Sequence, residues 1–128
     1  MELSKRTASL KASLDAMPGA TSEPRAANRN SAPGVLIYKV MGKMFAILSI
    51  RGLEAVSLKC DPHLAEVLRA QYAGIGHRYH LDRRHWISVS LDADVPTKDI
   101  RRLAAQSHEL VCAALTRKQR EELAGASR

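Results

Sequence analysis

The stretch VLIYKVMGKMFAILSI, residues 35–50, decides the fold of this chain. Its two halves, 35–40 and 43–50, are rich in β-branched and large apolar residues, and they flank the pair Met41-Gly42. Gly42 can adopt the positive φ that a tight turn requires, so the stretch predicts an antiparallel hairpin. Four apolar residues alternate along the second half and are expected on one face: Met44, Ala46, Leu48 and Ile50.

Further elements follow this hairpin along the chain. Residues 54–59 alternate and predict a third strand, with Val56 and Leu58 facing inward. A helix to about residue 71 is predicted next, because Asp61 can cap its free N–H groups and Pro62 suits its first position. The remaining chain predicts a second hairpin (77–80 and 85–91), a long helix opened by Pro96 and a short helix over 116–123.

The part before the hairpin predicts one helix and one loop. Apolar residues at steps of three and four form a helical stripe that ends at Pro18-Gly19: Leu3, Leu10, Leu14 and Met17, with Thr7 among them. Residues 18–34 have no periodicity and predict a long loop. The order α-β(3)-α-β(2)-α-α indicates a single α+β domain over residues 1–128, a two-layer sandwich of about five antiparallel strands with helices on one face.

Composition indicates the kind of partner. The 128 residues carry 20 Lys and Arg against 13 Asp and Glu, a formal net charge of +7. This excess favours nucleic acid or an acidic protein as the partner. Two cysteines without a CxxC pair indicate a reducing, cytoplasmic location. No stretch is long and apolar enough to predict a membrane segment, and a monomer is favoured.

Three strings stand in order along the chain: KVMGKMFAIL (39–48), LKCDP (58–62) and RYHLDRRHWISV (78–89). Together with LDAMPGA (14–20) they resemble the MmcQ/YjbR family of small bacterial proteins. The resemblance implies an α-β(3)-α-β(2)-α two-layer fold related to secretion-chaperone and frataxin-like topologies. It also implies DNA binding, because members are commonly labelled so by analogy with a winged shape and a basic surface.

The second hairpin carries the strongest candidate site. Residues 77–86 combine arginines, which contact phosphates, with Tyr79 and Trp86, which can stack on bases. Lysines of the first hairpin and third strand could extend this surface across the open sheet face. The predicted nucleic-acid-binding residues are Lys39, Lys43, Lys59, Arg78, Tyr79, His80, Arg83, Arg84, His85 and Trp86. The alternative is a solvated hairpin whose two aromatic residues pack on their neighbours.

Other chemistry receives less support. Three histidines, His77, His80 and His85, are candidate metal ligands. No carboxylate or cysteine is placed to complete the ligand set. Cys60 precedes a helix start, where a thiol can become nucleophilic beside a histidine. Strand alternation instead places Cys60 on the inward face, so we expect a buried structural thiol. Nucleotide-binding and hydrolase motifs are absent from the sequence, and no enzyme activity, metal or cofactor is expected.

Two functions from different classes remain. The first is a non-enzymatic nucleic-acid-binding module, for DNA by the resemblance, which contacts phosphates largely independently of base sequence. The second is a protein-interaction or chaperone-like module, which the related topology and the open sheet face suggest.

Overall fold

A computed structural model describes residues 4–26, 30–77 and 81–126 of the chain. Within these ranges the helices are Lys5–Asp15 (α1), Pro62–Gln71 (α2), Thr97–Ala113 (α3) and Arg117–Ala126 (α4). The strands are Ala20–Arg25 (β1), Val35–Val40 (β2), Lys43–Ser49 (β3), Ala55–Lys59 (β4), Ile75–Gly76 (β5) and Trp86–Ser90 (β6). The described helices do not include one with the length and apolar character needed to cross a bilayer.

The strands form one antiparallel sheet in the order β1-β2-β3-β4-β6-β5, which confirms the predicted α+β class. Buried residues of α1, α2 and α3 join the inward-facing residues of the strands in one core. The members that come from β4 and β6 are Val56, Leu58, Ile87 and Val89. Their alternate neighbours, such as Ser57 and Ser88, therefore point to the opposite face of the sheet.

The sheet has six strands among the described residues rather than about five, because part of the predicted 18–34 loop is β1. The sequence ATSEPR of β1 shows no apolar alternation, since it lies at the edge and is held by backbone pairing with β2 over its whole length. Pro24 lacks an N–H group, and an edge strand tolerates this because its outer side needs no hydrogen bonds. The loop prediction was therefore wrong for residues 20–25.

Residues 78–80 of the second predicted hairpin lie outside the described ranges. Among the described residues, the strand that pairs with β6 is Ile75–Gly76 and does not include His77. The second strand of the predicted hairpin begins at Trp86, because the N–H groups of His85 and Trp86 both donate to the carbonyl of Asp82 and close a turn there.

A β-bulge changes which residues of β3 face the core. The register of β2 and β3 shifts between Tyr38 and Lys39, so one residue of β3 is extra. Phe45 and Ala46 are consequently both fully buried, and Phe45 packs edge-on against Tyr38 with ring centroids 6.1 Å apart. Met44 is not part of the core, so the prediction that it shares a face with Ala46 was wrong.

Candidate nucleic-acid interface

Two of the predicted lysines already have partners. Lys39 Nζ lies 2.8 Å from a carboxylate oxygen of Glu23 on β1, and this contact lowers the pKa of Glu23. Lys43 Nζ donates to the carbonyl of Ala114 at the end of α3 over 3.1 Å. Lys39 also belongs to β2, three strands from β6, which corresponds to about 14 Å at the usual strand spacing. The structure therefore does not bring these two lysines to the second hairpin.

Lys59 and Trp86 face each other across β4 and β6. Lys59 borders a largely apolar groove of about 420 Å³ between α2 and α3, whose other lining residues include Leu64, Leu103 and Leu110. Trp86 is only 9% exposed. This burial favours the alternative in which Trp86 packs on neighbouring residues, and it corrects the expectation that its ring is available to stack on a base.

The turn that presents Arg83 and Arg84 is built around Asp82. One carboxylate oxygen of Asp82 accepts the N–H of Arg84 over 2.9 Å, and the other lies 2.6 Å from Nδ1 of His85. The contact with His85 is the main cause of the lowered pKa of Asp82. His85 is therefore a partner of this carboxylate within the turn, and the two arginines between them remain exposed.

This turn and α2 enclose a cleft of about 640 Å³. The two elements meet because the N–H of Cys60, just before α2, donates to the carbonyl of His85 over 2.7 Å. Asp61 then caps α2 by accepting the N–H of Leu64. The lining residues come from both elements: Pro62, His63, Glu66, Arg69, Ala70, Arg83 and Arg84. We call this cavity the basic cleft.

Positive charge dominates the basic cleft. Its lining residues within the described ranges supply three guanidinium groups and one carboxylate, that of Glu66. Within the part of the chain that the structure describes, no carboxylate oxygen lies within 4.0 Å of a guanidinium nitrogen of Arg69, Arg83 or Arg84. Guanidinium groups without carboxylate partners can form paired hydrogen bonds with an incoming anion.

The sequence analysis missed His63 and Arg69 as members of this site. Both belong to a stripe of α2 whose residues are spaced three and four apart around Glu66; His63 is exposed, whereas Arg69 is half-buried and donates from Nη1 to the carbonyl of Trp86 over 3.5 Å. The polar face was therefore visible in the pattern. Its position opposite Arg83 and Arg84 was not, because that depends on how the turn packs against α2.

The remaining predictions concern residues 78–80, the thiol of Cys60 and a metal site. Arg78, Tyr79 and His80 lie outside the described ranges. Cys60 is a buried thiol, as expected, and burial, with the nearby charge of Asp61, raises its pKa. This shift disfavours the thiolate that a nucleophile requires. In the described ranges, no group of three or more His, Cys, Asp or Glu side chains is arranged to hold a metal ion.

Comparison with known proteins agrees with the resemblance seen in the sequence. The YjbR family model matches residues 15–110. The uncharacterised protein YjbR of Escherichia coli K12 is 35% identical over 86 residues, which cover 66% of this chain and 73% of that protein. The uncharacterised protein YbdF of Escherichia coli O157:H7 is 30% identical over 88 residues, which cover 68% of this chain and 72% of that protein.

A solved structure extends the similarity to nearly the whole chain. The crystal structure of Deinococcus radiodurans protein DR2400, described by its DUF419 domain, superposes with a TM-score of 0.81 at 29% identity. The superposition covers 95% of this chain and 92% of that one. The family match, the relatives and the shared fold together show that this chain belongs to the YjbR family.

Proposed function

We propose that the protein binds nucleic acid through the phosphate backbone, and that the basic cleft is the contact surface. The observation that carries this proposal is the convergence of the guanidinium groups of Arg69, Arg83 and Arg84, from two separate elements, with no carboxylate within 4.0 Å of them among the described residues. The net charge of +7 adds a long-range attraction for polyanions.

The geometry of the turn supports this function. Guanidinium groups match phosphate oxygens with paired hydrogen bonds, so arginine is the side chain best suited to phosphate contact. The Asp82 contacts fix the backbone that carries Arg83 and Arg84, which reduces the entropy lost when a ligand orders them. Contacts of this kind position a protein on nucleic acid without reading its bases. The expected binding is therefore weakly dependent on sequence and strongly dependent on salt.

The test compares two double variants with the same loss of charge. R83A/R84A removes the arginines of the turn. R25A/R51A removes two exposed arginines at the opposite end of the sheet, where Arg25 pairs with Val35 and Arg51 follows β3. Binding of fluorescent DNA is measured by anisotropy across a salt series.

The turn variant should lower the slope of log K against log salt by about 1.8 for duplex or about 1.4 for a single strand, because each phosphate contact contributes about 0.9 or 0.7. The control variant should leave the slope close to that of the unmodified protein. Equal losses in both variants would show that only overall charge matters, and would refute the basic cleft as the contact surface.

The second candidate is binding of an acidic protein segment at the same cleft. It is favoured by the same guanidinium groups, since carboxylates accept the same paired hydrogen bonds as phosphates. Competition with poly-glutamate separates the two. Displacement of DNA by poly-glutamate at an equal concentration of anionic groups would favour the acidic protein, and failure to displace it would favour nucleic acid.

A further inference from the structure

We infer that the ligand of the basic cleft is single-stranded nucleic acid, with one base against the start of α2 and its phosphate at the arginine turn. This inference rests on the proposed function and narrows it to one class of nucleic acid. It is drawn from three features of the cleft, namely its shape, the position of its one carboxylate and the residues at its helical wall.

The shape of the cleft favours a strand that can enter it. The cavity of about 640 Å³ lies between a helix and a turn, and its volume is within the range of about 300–1,000 Å³ that small-molecule sites occupy. A duplex presents its phosphates on a broad convex surface and keeps its bases stacked inside. A single strand can turn one nucleotide out of line and insert it into such a concavity.

The single carboxylate orients the nucleotide. Glu66 lies on α2, three to four residues from Pro62, His63, Arg69 and Ala70, so it belongs to the helical wall of the cleft. A phosphate beside this carboxylate is repelled, whereas a phosphate at the turn meets Arg83 and Arg84, and the carboxylate of Asp82 in that turn is already held by the Arg84 N–H and by His85. The phosphate therefore lies at the turn, and the base points toward α2.

The helical wall offers a surface for that base. His63 is exposed and lies next to Pro62 in the first turn of α2, so an imidazole ring and a proline ring line the same wall. A ring face packs on any base, which gives affinity without sequence preference. Trp86 cannot supply this contact because it is buried. His63 is thus the described aromatic ring that lines the cleft.

The experiment measures binding of a single strand of about 12 nucleotides, a length within known site sizes, and of the matching duplex. The variants are H63A, which removes the ring, and H63F, which keeps an aromatic ring without a titratable nitrogen. Circular dichroism checks that both variants are folded, which is expected because His63 is an exposed side chain.

The single strand should bind more tightly than the duplex at the same salt concentration. H63A should weaken single-strand binding about tenfold, the usual effect of losing one stacked base, and H63F should retain it. Duplex binding should be the same in both variants. Equal or tighter duplex binding, or equal loss in H63A and H63F, overturns the single-strand inference while leaving phosphate binding intact. Absence of salt-dependent binding to either nucleic acid refutes the proposed function itself.

Discussion

A single buried hydroxyl, that of Ser107 on α3, bridges β3 and β4 at the end of their pairing, next to the residue that forms the bulge against β2. The last paired residues at this end are Ala46 and Leu58, so Phe45 and Lys59 are not paired directly. Ser107 Oγ donates to the carbonyl of Phe45 over 2.5 Å and accepts the N–H of Lys59 over 2.8 Å. The hydroxyl therefore takes the place of a direct backbone hydrogen bond between Phe45 and Lys59.

Substitution of Ser107 by alanine should destabilise the protein substantially. Ser107 is fully buried, so water cannot easily take the place of its hydroxyl. The change leaves one backbone donor and one backbone acceptor unpaired, and each such buried group costs about 1–3 kcal/mol. Some relaxation of the bulge offsets part of this, and we expect a loss of about 3 kcal/mol in the free energy of unfolding.

Urea unfolding followed by circular dichroism measures this loss, with S13A as the control. Ser13 is a half-buried serine of α1, and its replacement by alanine should change stability by less than about 0.5 kcal/mol. S107A should lower the urea midpoint without changing the m-value, because the same surface is exposed on unfolding. A loss below about 1 kcal/mol would show that the two backbone groups find other partners, and the bridge would then not stabilise the bulge.

Two further predictions concern the turn and α1. D82A removes a negative charge near the basic cleft, but it also removes the carboxylate whose hydrogen bonds hold the turn. Anisotropy should therefore show weaker DNA binding than in the unmodified protein. Tighter binding would mean that charge alone controls affinity. Burial opposes the ionisation of Asp15, but hydrogen bonds from Lys11 and Tyr38 outweigh it and lower the pKa of Asp15. The stabilisation that accompanies a lowered carboxyl pKa is present above the ordinary value of about 3.9 and is lost as pH falls through the lower folded-state value. Y38F should therefore cost about 1 kcal/mol near neutral pH and less near pH 3, as measured by urea unfolding at both pH values; an equal cost at both would contradict the role of Asp15.

Local patterns predicted most of the fold. The hairpin around Gly42 and the Asp61-Pro62 helix start were identified correctly because their signals lie within a few residues: a positive φ at a turn and an N-cap. β1 and the bulge in β3 were not predicted from the sequence, because both depend on pairing with a neighbouring strand. An edge strand needs no apolar alternation, and a register shift is set by pairing rather than by sequence period.

Some properties of the candidate site could likewise be predicted from the sequence, and others only from the tertiary structure. By itself, the sequence determined the α+β class, the excess of positive charge, the inward position of Cys60 and the exposed arginines at the turn of the second hairpin. Only the tertiary structure decided that Trp86 is buried, that Lys39 is paired with Glu23, and that the polar face of α2 lies opposite that turn. The physical reason is that exposure, pairing and convergence are properties of residues distant in sequence. Local periodicity indicates which face of an element is polar, but packing alone determines what that face meets.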